Sequence, residues 1–411
     1  MLSVLLFILY FIVLFFALRT LMRVKKIDIS PLATVFIFAY KVLFGCLYGY
    51  IFFKFYKGDD TWAYHRESLI QYQKLIHQPI DFLKDFLPYS SSQTFSYYIQ
   101  DLEYWTITKT LAVFNIFSRG NYYINVLFFD FIGMMGLLLI YKLIFNFFTD
   151  KKWLLIFAIF FLPLSTFWLS GIRTEALLLF SMAIAIYYSY KFRYRERKIS
   201  YMIYILIGLI GCLILRAQAL LVMMPAFICL IICWKKTDRS TYYFSLLYVI
   251  CTCVFFGSMF ISPKNNLSDP IIERQQEFFK LQGNTVFKLD TIEPSVKSFA
   301  KILPQAILNT FCRPFVWEAK GALQIFSALD IILFWAFFVL LLFFHEKNWK
   351  QRLKHPLLLF LIFYGISQVI LIGYVVPFPG AIVRYKAIPE LFLFIVMMIL
   401  FDKEKLSSVK H

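Results

Sequence analysis

Apolar residues in this chain run on for many positions instead of alternating with polar ones. Long apolar stretches recur from Leu2 to Leu400, separated by mostly short polar connections. A hydrocarbon slab needs roughly 20 consecutive apolar residues per helix. The stretches predict about eleven spanning helices, at 2–18, 32–53, 123–145, 153–167, 174–190, 201–215, 219–234, 242–261, 323–344, 356–374 and 387–401. The expected fold is all-α: a polytopic transmembrane helix bundle forming one transmembrane domain over 1–411.

Two connections are long, 54–121 and 262–321. In the first, RESLIQYQKLIH places Leu69, Tyr72 and Ile76 at helical spacing. The stretch 95–117, with Tyr98, Leu102, Trp105 and Leu111, suits an amphipathic helix at headgroup level. In the second, Asp269-Pro270 reads as N-cap and first helical residue, Glu293-Pro294 opens another helix, and Pro304 should interrupt it. No internal repeat and no soluble domain is visible.

Basic residues set the expected orientation. They gather at Arg19/Arg23/Lys25/Lys26, Lys151/Lys152, the run KFRYRERK, Lys235/Lys236/Arg239, Lys347/Lys350/Arg352/Lys354 and Lys403/Lys405/Lys410. Short cation-rich connections stay cytoplasmic. The N-terminus and both long connections then lie outside, and the C-terminus inside.

Composition agrees. The chain is 61% hydrophobic and 16% charged, with a mean hydropathy of +0.70. The net charge of +18 is read as topology signal, not as nucleic-acid binding, because the cations sit between apolar runs. Six of the seven cysteines lie in apolar runs and only Cys312 falls in an external connection, so no disulfide framework or zinc site is expected. The first run lacks a basic n-region and a small-residue cleavage site, so no cleavable signal peptide is expected. There is no phosphate-binding glycine loop, no GxGxxG and no HExxH.

Polar residues with chemical potential gather at the external helix ends. The first cluster is KGDDTWAYH, from Lys57 to His65. Asp60, or failing that Asp59, is placed to act as general base on a hydroxyl, with His65 nearby, and the acidic pair is also a candidate ligand for Mg or Mn. The second is STFWLSGIRTEA, with Arg173 and Glu175, where a guanidinium could grip a lipid phosphate. The third is Arg216 with Gln218, expected in a tight turn. The fourth is CRPFVWEAKG, with Arg313, Trp317 and Glu318, and the fifth holds Arg384, Tyr385 and Lys386. Cations outside oppose the positive-inside trend, and a phosphate or pyrophosphate is their natural anion. The plain alternative is a solvated loop start for the first cluster and an Arg–Glu interfacial pair or snorkelling for the second. Lys41 and Asp130 stand inside apolar runs and are expected to pair.

GDDTWAYH, PLSTFWLSGIRTEALLL, LRAQALLVMMPA, FCRPFVWEA and VRYKAIPELFLF occur in that order. The series resembles the GT-C superfamily of membrane glycosyltransferases, in particular bacterial cell-surface polysaccharide membrane proteins. One departure is the last motif, where Lys386 and Glu390 stand in place of Arg and Pro. No soluble C-terminal domain is expected, unlike in oligosaccharyltransferases. The resemblance implies a bacterial inner-membrane enzyme. Its donor would be a polyprenyl-phosphate sugar and its acceptor a glycan or lipid-linked molecule. An external carboxylate would deprotonate the acceptor, and Arg173, Glu175, Arg216, Arg313, Glu318, Arg384 and Lys386 would surround the phosphate. Two other readings stand beside it: an O-antigen-type polymerase using polyprenyl-pyrophosphate glycans, and a glycolipid flippase or transporter. The last predicts charges through the membrane depth and repeat symmetry.

Overall fold

Helix α6 (Tyr122–Phe145) is buried along almost its whole length, and the first part of the chain is built around it. The computed structural model describes residues 1–56, 59–84, 95–235, 237–261, 266–283 and 285–408, with backbone alone for 95–101, 164, 237 and 407–408. Lys57, Gly58, Lys236, Ser262 and Lys410, and the Tyr98 side chain, lie outside the described residues. The described residues are helical apart from turns and one isolated bridge between His345 and Phe401.

The chain divides into two compact units. The first comprises Met1–Thr149, Ile159–Leu162 and Thr166–Leu220. It opens with α1 (Leu2–Lys25) and α2 (Pro31–Lys54). Ser30 caps α2 by accepting the Ala33 N–H at 3.2 Å, and Pro31 sits in the first turn, where no helical N–H partner is lost. Next come α3 (Asp60–His77), α4 (Pro79–Lys84) and α5 (Phe95–Ser118), so both stretches expected as helices in the first long connection are helical. They pack against each other instead of lying apart at the surface. Asn115 joins them, donating to Ser68 Oγ at 3.0 Å and accepting from Asn125 of α6 at 2.7 Å. α6 packs on α1, α2, α5 and α9 (Thr174–Tyr190). Between α6 and α9 run two short helices, α7 (Lys152–Phe160) and α8 (Pro163–Trp168). α10 (Ile199–Cys233) starts in this unit and ends in the next.

The second unit comprises Asp150–Ala158, Pro163–Ser165 and Leu221–His411. After α10 it holds α11 (Ser240–Ile261), α12 (Asp269–Lys280), α13 (Val296–Phe311), α14 (Ala322–Phe343), α15 (Trp349–Leu353), α16 (Pro356–Val375), α17 (Pro379–Tyr385), α18 (Ala387–Leu400) and α19 (Lys403–Ser408). α16 is its centre and packs on α11, α12, α13 and α18. The second long connection is folded onto it. Gln275 of α12 donates to Tyr374 O at 2.8 Å and accepts from Ile292 N at 2.8 Å, over a cluster that includes Phe278, Phe287, Phe299 and Ile302. The N-cap position of α12 is Ser268, one residue before the expected cap and without a side-chain capping bond, and α13 continues through Pro304 instead of breaking there.

Among the described residues, seven helices are long and apolar enough to cross a membrane: α1, α2, α6, α10, α11, α14 and α16. The chain is a multi-pass integral membrane protein. The number is below the roughly eleven expected, for local reasons. The stretch 153–167 is split at Pro163, whose ring cannot continue the preceding helix. α9 stops at 17 residues and α18 at 14. The stretches 201–215 and 219–234 are two helical segments within α10, joined at a kink where Arg216 turns extended (φ −165°, ψ 86°), at the place where a turn is expected.

Candidate functional site

In the first unit the site begins with a buried ion pair. Lys41 on α2 lies 3.7 Å from Asp130 on α6, with both side chains almost wholly buried. Ions in an apolar interior persist only when paired and hydrogen-bonded. Here the remaining valences hold a turn. Lys41 Nζ donates to Leu169 O at 2.5 Å and Ser170 Oγ at 3.1 Å, and Gly171 N donates to Asp130 Oδ1 at 2.8 Å. Gly171 has φ +79°, a conformation that favours glycine. Gly45 leaves room for the approach, since a Cβ there would sit 2.2 Å from Asp130 Oδ2.

That turn delivers Arg173, the N-cap residue of α9. Its guanidinium lies 3.5 Å from Asp59 Oδ2 and 4.2 Å from the centre of the Tyr48 ring. Tyr48 OH donates to the same carboxylate oxygen at 2.7 Å. The Asp59 side chain is 25% exposed while that of Arg173 is 2% exposed, so the carboxylate is the accessible member. Trp168, whose ring is 5.5 Å from the guanidinium, has a buried Nε1 with no hydrogen-bond partner. The acidic motif and the turn motif, remote in sequence, thus meet at Asp59 and Arg173. Arg173, expected from sequence to face a lipid phosphate, is buried here and lies against the Asp59 carboxylate.

Glu175 and Arg216 also come together. Arg216 Nη2 donates to Glu175 Oε1 at 3.1 Å, and Glu175 sits in the first turn of α9, where a carboxylate favours the helix dipole. The extended backbone at Arg216 lies at the break in α10. Thr174 Oγ1 donates to Glu103 of α5 at 2.9 Å. Glu103, Tyr48 and Trp168 were not singled out from sequence.

Asp60 begins α3 and His65 lies on the buried face of that helix. The His65 ring meets Trp62 and Tyr122 edge-on, at 5.7 and 5.3 Å, and Nδ1 has no hydrogen-bond partner. Burial, and then the Arg66 charge, push its pKa down to about 4, so the ring is neutral at neutral pH. Among the described residues no group of three or more His, Cys, Asp or Glu converges to hold a metal ion. The Asp59 surroundings do not fit Mg or Mn either, because the Arg173 cation already stands against the carboxylate. No step is derived through a metal.

In the second unit, Arg313 grips Glu318 in a fork: Nε lies 3.0 Å from each carboxylate oxygen and Nη2 2.5 Å from Oε1. Asn309 Oδ1 and the Phe287 ring, 4.1 Å from the guanidinium, complete its surroundings. These hydrogen bonds hold the Glu318 carboxyl below its ordinary pKa. Lys386 is buried, 3.5 Å from Glu390, with Thr310 O at 3.4 Å. Asp330 of α14, an embedded acid visible in ALDIILF but not singled out, is hydrogen-bonded to Glu390. The cavity beside Lys386, Glu390, Thr310 and Phe334 measures about 10 Å³, room for about one water and not for a sugar. Arg384 is half-buried, with Tyr385 5.6 Å away. Arg313, Glu318 and Lys386 therefore pair with side chains of opposite charge. Compared with known proteins, the chain matches no family model, and no curated protein or solved structure is similar enough to count as a match.

Proposed function

We propose that the chain is a GT-C-like glycosyltransferase of a bacterial inner membrane. It would move a sugar from a polyprenyl-phosphate donor to a glycan or lipid-linked acceptor on the extracytoplasmic face. The reading also takes the N-terminus and both long connections as external and the C-terminus as internal, on the distribution of Lys and Arg. The observation that carries the reading is the meeting of Asp59 with Arg173 and Tyr48. It supports Asp59 over Asp60 as the reacting carboxylate.

The chemistry follows from that contact. Asp59 Oδ accepts the proton of the acceptor hydroxyl. The hydroxyl oxygen bonds to the anomeric carbon as the bond from that carbon to the donor phosphate oxygen breaks, and polyprenyl phosphate leaves with the electron pair. Arg173 and Tyr48 orient Asp59. Proton transfer accompanies bond formation, as the hydroxyl becomes acidic in the transition state. Trp168 Nε1 is a buried donor beside this group, suited to a sugar hydroxyl or phosphate oxygen. Arg384 is assigned to the donor phosphate by its motif alone.

The test is mass analysis of lipid-linked glycans in cells lacking the chain, complemented with wild type or Asp59→Asn. One intermediate short of a single sugar should accumulate in both the deletion and the variant. An unchanged lipid-linked pool would remove the reading.

A further inference from the structure

The end of the first unit that carries the C-termini of α1, α6 and α9 gathers cations from three elements. Lys25 and Lys26 close α1, Lys142 lies in the last turn of α6, and a five-residue π-helix, Lys191–Arg195, follows α9. These residues converge on one another. Lys142 Nζ donates to Lys26 O at 2.7 Å, and Lys25 Nζ donates to Tyr188 OH at 2.9 Å, 5.3 Å from the Tyr187 ring. Lys191 stands 5.8 Å from that same ring.

The charges that bear on Lys142 are Lys191, Arg195 and Lys26, against the single acid Asp28. Burial, and then Lys25 and Arg195, hold Lys191 below its ordinary pKa, while Glu196 and Lys198 also act on it with opposite signs. Glu196 is itself paired with Lys198 at 2.5 Å. Arg193 Nε is buried with no hydrogen-bond partner. A solvated basic loop would let its cations splay apart. Here Lys25, Lys142, Lys191 and Arg193 are half-buried, Lys25 and Lys191 lie against the Tyr187 ring, and Lys26 and Arg195 stand exposed at the edge of the cluster, so repulsion among the half-buried members is poorly screened.

We propose that this cluster is a binding site for the phosphate of an anionic phospholipid. A phosphodiester supplies the missing charge and accepts from Lys and Arg together. The lipid source follows from position, since Lys25 and Lys142 terminate two helices long and apolar enough to cross a membrane, which puts the cluster at headgroup depth. The site is independent of the transfer reaction proposed above.

The experiment uses purified full-length protein in mixed micelles with phosphatidylglycerol, with phosphatidylethanolamine, or with inorganic phosphate at matched concentration. Native mass spectrometry reads retained lipid and a thermal melt reads stability. Phosphatidylglycerol should be retained selectively and should raise the melting temperature. Retention should fall about fivefold for each cation removed in Lys191→Gln and Arg195→Gln. Without lipid, the double variant should melt no lower than wild type, because repulsion is relieved. That arm separates a binding role from a structural one. Equal retention of the two lipids overturns the proposal, as does an undiminished phosphatidylglycerol response in the double variant. Equal stabilisation by inorganic phosphate overturns the lipid assignment in favour of a soluble anion.

Discussion

Lys41 Nζ and Asp130 Oδ1 stand 3.7 Å apart in the interior of the first unit, and between them they grip Leu169 O and Gly171 N. The pair therefore does more than neutralise two embedded charges. It fixes the turn from which Arg173 reaches Asp59.

Removing one member should be worse than removing both. Asp130→Asn leaves a buried ammonium without its counter-ion and should destabilise by about 3–5 kcal/mol. Lys41→Met combined with Asp130→Leu should recover part of that loss. Thermal unfolding in detergent reads both. Equal melting of Asp130→Asn and wild type would deny the pair its structural role.

Gly45 is the tightest point of the same arrangement. An added Cβ would overlap Asp130 Oδ2 at 2.2 Å and crowd Gly171 N at 2.9 Å. Gly45→Ala should cost about 1–3 kcal/mol through overpacking. Gly171→Ala should cost about 1–2 kcal/mol through its left-handed backbone. The melting curves of the two variants check this, and an unshifted Gly45→Ala would contradict the close approach.

His65 gives a pH dependence of definite sign. Its folded pKa of about 4 lies below the ordinary 6.5, so the unfolded chain binds more protons between those values. The stability it contributes is complete above pH 6.5 and is lost as pH falls toward 4. The loss is about 3 kcal/mol at most. His65→Gln should flatten the stability profile in that window alone. A profile of unchanged slope would show that the ring is not held neutral by burial.

Much of this arrangement could be read from the chain. Lys41 and Asp130 stood out because isolated charges in apolar runs must find partners. Helices α3 and α5 announced themselves by apolar spacing. Tyr48 did not, because one tyrosine among 26 carries no local signal until the fold brings it to Asp59. The break between the two apolar runs at Arg216 was legible, but its form, a single extended residue kinking α10, was not, since backbone geometry decides that. Nor did Pro304 end α13: packing of that helix on α16 outweighs one lost backbone hydrogen bond. Arg313, Glu318 and Lys386 were legible as charges but not as members of ion pairs, because their partners are fixed by tertiary contact.

Arg384 tests the phosphate assignment apart from the carboxylate. Arg384→Lys retains charge but loses the planar fork, and should lower turnover by about 10²–10³ with folding intact. Size-exclusion profile and turnover of the same preparation separate the two effects. A well-folded Arg384→Lys variant with wild-type turnover removes the residue from the site.

The central claim rests on Asp59, and turnover of purified Asp59→Asn with a defined polyprenyl-phosphate sugar and acceptor tests it most directly. The substitution keeps the shape of the side chain and a hydrogen bond from Tyr48 while removing the proton acceptor. Turnover per folded molecule should fall by about 10²–10⁴, with a lower melting temperature because the buried Arg173 loses a counter-ion, and Asp60→Asn should retain most activity. Wild-type turnover in well-folded Asp59→Asn would contradict the account.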